Sequence, residues 1–321
     1  SPGSVFSTAL VTVEAGADFT LGNNLTVTNE LTNNGSIVIA DHELRFLNYF
    51  EDTLTCAVSI EDGIITSTRA AGPSQNFSRV TFTSGSTATI NGAGGLTLGV
   101  TAYSGTGLVT TGTVSLPTGT IASLDVQAGT ATVSGNLTMT GDLTVTGTID
   151  ADPGTLTFDG TVDQTVNPGI HSIDIAKTDG SITFTNPLTV TTLTQGDTGA
   201  VGITFNQNLT VTNAAAFNTS GILTLGDADT DVFIFNDGIS HTIAAHTRNT
   251  MLYGTLQTNN DTVTLDNLTL GTNAEIESGT GLISIQGTTT GNTHDLTITG
   301  DAEFNDTVTG VDILQVTGTT A

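Results

Sequence analysis

Apolar and polar residues alternate in short runs along most of this chain. Leu143-Thr144-Val145-Thr146, Leu156-Thr157-Phe158, Ile182-Thr183-Phe184, Ile203-Thr204-Phe205, Leu209-Thr210-Val211, Leu223-Thr224-Leu225, Leu268-Thr269-Leu270 and Leu296-Thr297-Ile298 share one form. In each, a hydroxyl stands between two apolar residues, and Gly, Asn or Asp follows close by. Period two sends successive side chains to opposite faces of a strand, so the apolar residues point inward and the hydroxyls outward. Threonine suits the outer face, being β-branched yet polar. Gly, Asn and Asp supply the turns between runs. From Val80 onward no stretch of 10 or more residues carries a helical period. That removes βαβ architectures, which need a helix between parallel strands.

Sandwiches, barrels and solenoids remain, and spacing separates them. Leu188 and Leu209 lie 21 residues apart, and Leu268 and Leu296 lie 28 apart. Sandwich domains recur at about 100 residues, whereas stacked repeats recur at about 20 to 50. The expected fold is an all-β, right-handed parallel β-solenoid (β-helix) with irregular coils of roughly 20–30 residues. The short step from Asn136-Leu137-Thr138 to Asp142-Leu143-Thr144 fits two faces of one coil. Residues 80–321 form the expected solenoid body. Residues 1–79 read as an N-terminal cap or first coils with an aromatic-rich insert. In that insert, DHELRFLNYFE at Asp41 to Glu51, Leu44, Leu47 and Phe50 share a spacing that predicts a single helical turn.

Composition agrees with a thin core. The 321 residues include no Trp, 5% aromatics and 36% hydrophobics, which suits an elongated stack better than a sphere. Disorder is the competing account of low hydrophobicity. It does not fit scarce proline, abundant β-branched residues and ordered apolar pairs. Charge is lopsided, with 31 acidic residues against Arg45, Arg69, Arg79, Lys177 and Arg248, a formal net charge of −26. With so few cations, nucleic acid is not an expected partner, nor is attraction to an anionic membrane surface. No apolar run approaches the roughly 20 residues of a membrane span, so membrane insertion is not expected. The opening Ser1-Pro2-Gly3-Ser4 carries no signal-peptide pattern, and the final residues stop within the repeat, which reads as a piece of something larger.

The stretch Gly135-Asn136-Leu137-Thr138-Met139-Thr140-Gly141-Asp142-Leu143-Thr144-Val145-Thr146-Gly147 resembles repeats of large secreted bacterial surface proteins. These are the filamentous-haemagglutinin-like adhesins and autotransporter passengers. Similar strings occur in phage tail-fibre stalks. The resemblance spans roughly residues 80–321. It implies a scaffold role and a cell-surface or extracellular location, and it carries over no functional residue.

Candidate chemistry is sparse. Asp227, Asp229 and Asp231 alternate in one loop and would offer oxygens to calcium, although neither an EF-hand nor a GGxGxD pattern is present. The plainer account is a solvated acidic turn. His241 and His246 are five apart, an odd spacing that a strand sends to opposite faces. Cys56 cannot form an internal disulfide, being the single cysteine. No Ser elbow and no phosphate-binding loop occurs. Sequons at Asn24, Asn76, Asn136, Asn208 and Asn267 are for the most part Asn-Leu-Thr, which the coil pattern generates on its own.

The expected function is a structural or adhesive fibre element of a surface, not an enzyme. Its expected partners are further copies of itself, joined head to tail in a filament, and a host or surface glycan. No cofactor is expected beyond calcium. Arg45, Phe46, Tyr49 and Phe50 are the expected contact, because large aromatics and scarce positive charge coincide there. Two alternatives stay open. One is a trimeric tail-fibre or receptor-binding stalk. The other is a polysaccharide-cleaving β-helix enzyme, for which Asp150, Asp159 and Asp163 are the conceivable carboxylates.

Overall fold

The computed structural model describes residues 5–319 apart from 15–16, 34–35, 41–42, 47–53, 61–63, 68–74, 83–86, 104–106, 117–118, 122–123, 134, 147, 152–153, 162, 167–171, 197–198 and 244, with side chains chiefly from 124 onward. Among the described residues there is no helix, and every strand pairing with a stated register is parallel. The architecture is a parallel β-solenoid. The chain forms two compact units, Ser1–Leu156 and Thr157–Ala321.

In the first unit one register position can be followed from coil to coil. Phe6 pairs with Leu25, Leu25 with Leu44, Leu44 with Ile65, and Ile65 with Ile90. The file continues through Thr110, Val126 and Val145. Leu25, Leu44 and Val126 are buried, while Val145, expected inside, is only half-buried. Asn136–Met139 and Leu143–Val145 belong to different sheets, as the step of six between their motifs requires.

The expected helical turn around Leu44 is overturned. Glu43–Phe46 is a strand, paired on one side with the strand at Leu25 and on the other with Ile64–Ser67. Leu44 is fully buried there. A strand needs only Leu44 inside, because both neighbouring coils seal its apolar side chain, whereas a helical turn would leave backbone groups of those coils unpaired. Leu47 and Phe50 lie outside the described residues.

In the second unit the inward file runs Val166, Phe184, Phe205, Leu225, Leu252 and Leu270, at most 1% exposed. Phe184 and Phe205 stack at 4.7 Å with their planes 9° apart. Phe217 meets Phe205 and Phe235 edge-on at 6.4 and 6.3 Å. Such pairs add about 0.5–1.5 kcal/mol beyond area burial. The outward file beside it runs Thr165, Thr183, Thr204, Thr224, Met251, Thr269, Thr290 and Thr309, all half-exposed or exposed.

Leu188 stacks directly on Leu209, as their 21-residue spacing predicts. Leu268 and Leu296 do not stack: Leu268 pairs with Thr289, and Leu296 with Ala274. Coil length varies from 16 residues between Leu108 and Leu124 to 27 between Ile222 and Asn249. Two similar motifs therefore need not share a register, and the shortest coils fall below the expected range.

Candidate functional site

Corners hold these coils together, and asparagine and aspartate do much of that work. Asn208 Oδ1 accepts from the backbone N–H of Val232 at 2.8 Å, and Asn267 Oδ1 from Thr288 at 2.9 Å. Asn273 accepts from Asp295, and Asp295 in turn from Ile313, at 3.0 and 3.1 Å. Asp163 and Asp301 do the same for Ser181 and Thr319, at 2.9 and 2.8 Å. In each case the donor lies 18 to 24 residues further along, one coil away. The turn residues of the sequence are thus also braces between coils. Asn267 Nδ2 donates to the carbonyls of His246 and Arg248 at 3.1 and 3.0 Å, so this sequon asparagine is fully engaged.

The predicted calcium residues do not converge. The Asp231 carboxylate is buried and turned back on its own loop, where Oδ2 accepts from the N–H groups of Asp227 and Ala228, each at 3.0 Å. Gly226 makes this turn feasible. It sits at φ 89°, and a Cβ there would stand 3.0 Å from Asp231 Oδ2. Asp227 and Asp229 face solvent. Among the described residues no three His, Cys, Asp or Glu side chains are grouped to hold a metal.

Of the expected contact residues, Arg45 and Phe46 lie in the strand Glu43–Phe46. Tyr49 and Phe50 lie outside the described residues. Cys56 lies in the strand Leu54–Ile60. Asp150 ends the strand Thr148–Asp150. Asp159 Oδ1 accepts from the N–H of Gly160 at 2.6 Å, and Asp163 Oδ1 also takes the Ser181 hydroxyl at 2.9 Å.

Asp159 and Asp163 share their surroundings with the single lysine. Lys177 is fully buried and its Nζ donates to the Gly160 carbonyl at 3.0 Å. Burial lowers its pKa, while the charges of Asp163, Asp159 and Asp179 pull it back up.

One polar cluster among the described residues was not legible in the sequence. It surrounds the corner between the strands Ile239–His241 and Asn249–Thr258. Arg248, 3% exposed, donates from Nη1 to the carbonyls of Phe217, at 3.1 Å, and Thr242, and from Nη2 to Asn218 at 2.5 Å. Asp266, fully buried, accepts from the N–H groups of Ile243 at 2.9 Å and Arg248 at 3.3 Å. Its other oxygen meets His246 Nδ1 at 3.1 Å. His241 is fully buried, with Nδ1 2.9 Å from Thr250 Oγ1 and its ring edge-on to Phe217 at 6.4 Å. Burial pushes its pKa down to about 4, helped by Arg248, while the Thr219 backbone and Asp266 pull the other way. His241 Nε2 has no hydrogen-bond partner, so the pull from Thr219 comes without a well-formed bond to that atom. His241 is buried and His246 exposed, but His246 lies beyond the strand that ends at His241, at φ 50°, so strand alternation is not what separates them.

On the outer face, Glu275 and Glu277 stand two residues apart on one strand. Glu277 Oε2 accepts from Gln257 Nε2 at 2.6 Å. Partial burial and then the neighbouring Glu277 raise the Glu275 pKa.

These features define a β-solenoid whose polar interior is occupied by structural braces. No protein-family model, curated protein or solved structure matches the chain.

Proposed function

We propose that this chain is a structural or adhesive element of a cell surface or extracellular fibre. The observation that carries this reading is where the unit Thr157–Ala321 places its chemistry. Its only basic residues, Lys177 and Arg248, are buried and bonded to coil-corner carbonyls. Its outward Thr file carries no charge. A stack that spends its cations on bracing and carries a file of hydroxyls outside suits a load-bearing or displaying role. Parallel coils accept further coils, so head-to-tail association of copies belongs to the same proposal.

Negative-stain microscopy with light scattering of the purified chain tests the reading, alongside binding to a panel of neutral and acidic glycans. Filaments, or retention on one glycan class, support it. A dispersed monomer at high concentration that binds none of the panel and degrades a polysaccharide overturns it. A stable trimer would favour the tail-fibre alternative.

A further inference from the structure

Four Asp-Gly steps occur in the chain, and three of them lie among the described residues: Asp159-Gly160, Asp179-Gly180 and Asp237-Gly238. The three glycines take positive φ, at 94°, 74° and 90°. Their aspartates are placed differently. Asp159 Oδ1 accepts from the N–H of Gly160 at 2.6 Å, and Asp179 Oδ1 from the N–H of Gly180 at 2.7 Å. The Gly238 N–H donates instead to the Phe235 carbonyl at 3.0 Å. Asp306 repeats the first arrangement, its Oδ1 accepting from the Thr307 N–H at 2.7 Å, but there the next residue is β-branched and crowds the approach. Cγ is bonded to the accepting oxygen, so in Asp159 and Asp179 it is held beside the nitrogen of the next peptide group. Those two atoms join when an aspartyl residue closes to a cyclic imide. Glycine leaves their approach open because it has no Cβ, and holding reacting atoms near contact lowers the barrier between them.

We propose that Asp159 and Asp179 are self-modification sites, at which the folded chain converts aspartate to isoaspartate. The Gly160 nitrogen bonds to Asp159 Cγ, and the hydroxyl of the protonated carboxyl leaves as water with the amide proton. The five-membered imide then takes up one water. It opens at Cγ to restore aspartate, or at the main-chain carbonyl carbon to give isoaspartate. No oxidant or reductant takes part, and the mass of the chain is unchanged. Asp179 reacts with the Gly180 nitrogen in the same way.

The two turns stack on each other: a Cβ on Gly180 would stand 2.6 Å from the Thr161 carbonyl oxygen. They also share the buried lysine. The Gly160 carbonyl accepts from Lys177 Nζ at 3.0 Å, two residues before Asp179. Isoaspartate at Asp159 adds one methylene to the backbone just before that carbonyl. The acceptor of a buried ammonium is thereby displaced, and the ammonium has to find water.

Ageing the purified chain at neutral pH and body temperature, then reading peptic peptides by electron-transfer fragmentation, measures isoaspartate at each position. In the folded chain it is expected to form at Asp159 and Asp179 about tenfold or more faster than at Asp237 and Asp306. In urea the three Asp-Gly steps are expected to draw level, because only local sequence then acts. Acylation of Lys177 by an amine reagent is expected to rise in step with isoaspartate at Asp159. Equal rates at the three steps in the folded chain, or a preference for Asp159 and Asp179 that survives in urea, would overturn the assignment of these sites to the fold. Lysine labelling that stays flat while isoaspartate accumulates would overturn the displacement at Lys177.

Discussion

Lys177 and Arg248 are both buried at coil corners, and both donate to backbone carbonyls, yet they are held by different means. Lys177 donates to the Gly160 carbonyl, with the charges of Asp163, Asp159 and Asp179 around it. Of these, Asp163 and Asp179 are exposed and Asp159 is half-buried. The Arg248 guanidinium reaches three carbonyls, while its backbone N–H donates to one fully buried carboxylate, Asp266, whose charge also acts on the guanidinium. The first corner is a single charge pinned by solvated neighbours. The second holds a buried guanidinium on backbone carbonyls and a buried carboxylate on backbone N–H groups of the same segment. A guanidinium can brace several carbonyls at once because its donors are fixed in a plane, whereas an ammonium is a point charge. The second corner therefore has more to lose.

Removing the buried anion beside Arg248 gives the largest expected effect. Asp266→Ala takes the acceptor from the Ile243 and Arg248 N–H groups and removes the buried negative charge that acts on the Arg248 guanidinium. A loss of about 3–5 kcal/mol is expected, visible as a lower midpoint in urea. A variant within about 1 kcal/mol of the parent would show that the two corners are alike.

Acid comes next. His241 has its folded pKa depressed to about 4, so the folded state binds fewer protons than the unfolded chain between there and the ordinary histidine value. Its stability contribution is fully present above about pH 6.5 and falls away as pH drops through 4, by about 3 kcal/mol in all. The difference between the parent and His241→Gln in urea midpoint against pH isolates this slope, and parallel curves would remove it.

At the other corner, Lys177→Met gives up the charge-assisted bond to Gly160 and also relieves a desolvated charge. The net loss is expected to be about 1 kcal/mol. A loss as large as that of Asp266→Ala would erase the distinction between the corners. The braces between coils sharpen the scale further. Asn208→Ala orphans the N–H of Val232, which faces water in part, and about 1 kcal/mol is expected from thermal melts.

Calcium is expected to have the smallest effect. Asp231 already spends Oδ2 on its own turn, and its neighbours face solvent. Adding calcium and chelating it are both expected to leave the melting temperature unchanged. A rise with calcium, reversed by chelator, would restore the loop as a ligand.

Period-two alternation was enough to place Leu143, Leu209, Val211, Leu296 and Ile298 inside and the threonines between them outside, because side-chain direction in a strand is local. Which coil stacks on which is not local. The 27-residue coil from Ile222 to Asn249 and the 16-residue coil from Leu108 to Leu124 defeat any fixed spacing, which is why Leu268 and Leu296 looked like stacked partners. The spacing of Leu44, Leu47 and Phe50 misled in another way. It matches a helix face, but Leu44 alone already satisfies a strand between Leu25 and Ile65. The corner at Arg248 left no trace at all. Phe217, His241, Arg248 and Asp266 meet across coils, and nothing about each residue's immediate neighbours in sequence distinguishes it. The acidic loop was visible, but the return of Asp231 onto Asp227 depends on backbone direction at Gly226.

Burying both cations also decides how this unit meets a digestive protease. Trypsin cuts after lysine and arginine, and in Thr157–Ala321 it has two such bonds, each with its recognition side chain sealed in the core and its carbonyl side held in a coil. The folded unit offers that enzyme no handle. Even when it is denatured, the stretch from Thr178 to Arg248 leaves as one long, acidic fragment, followed by another from Asn249 onward. Peptide surveys that rely on trypsin will therefore undercount this protein relative to its abundance, and a protease that cuts at acidic or apolar residues will recover it.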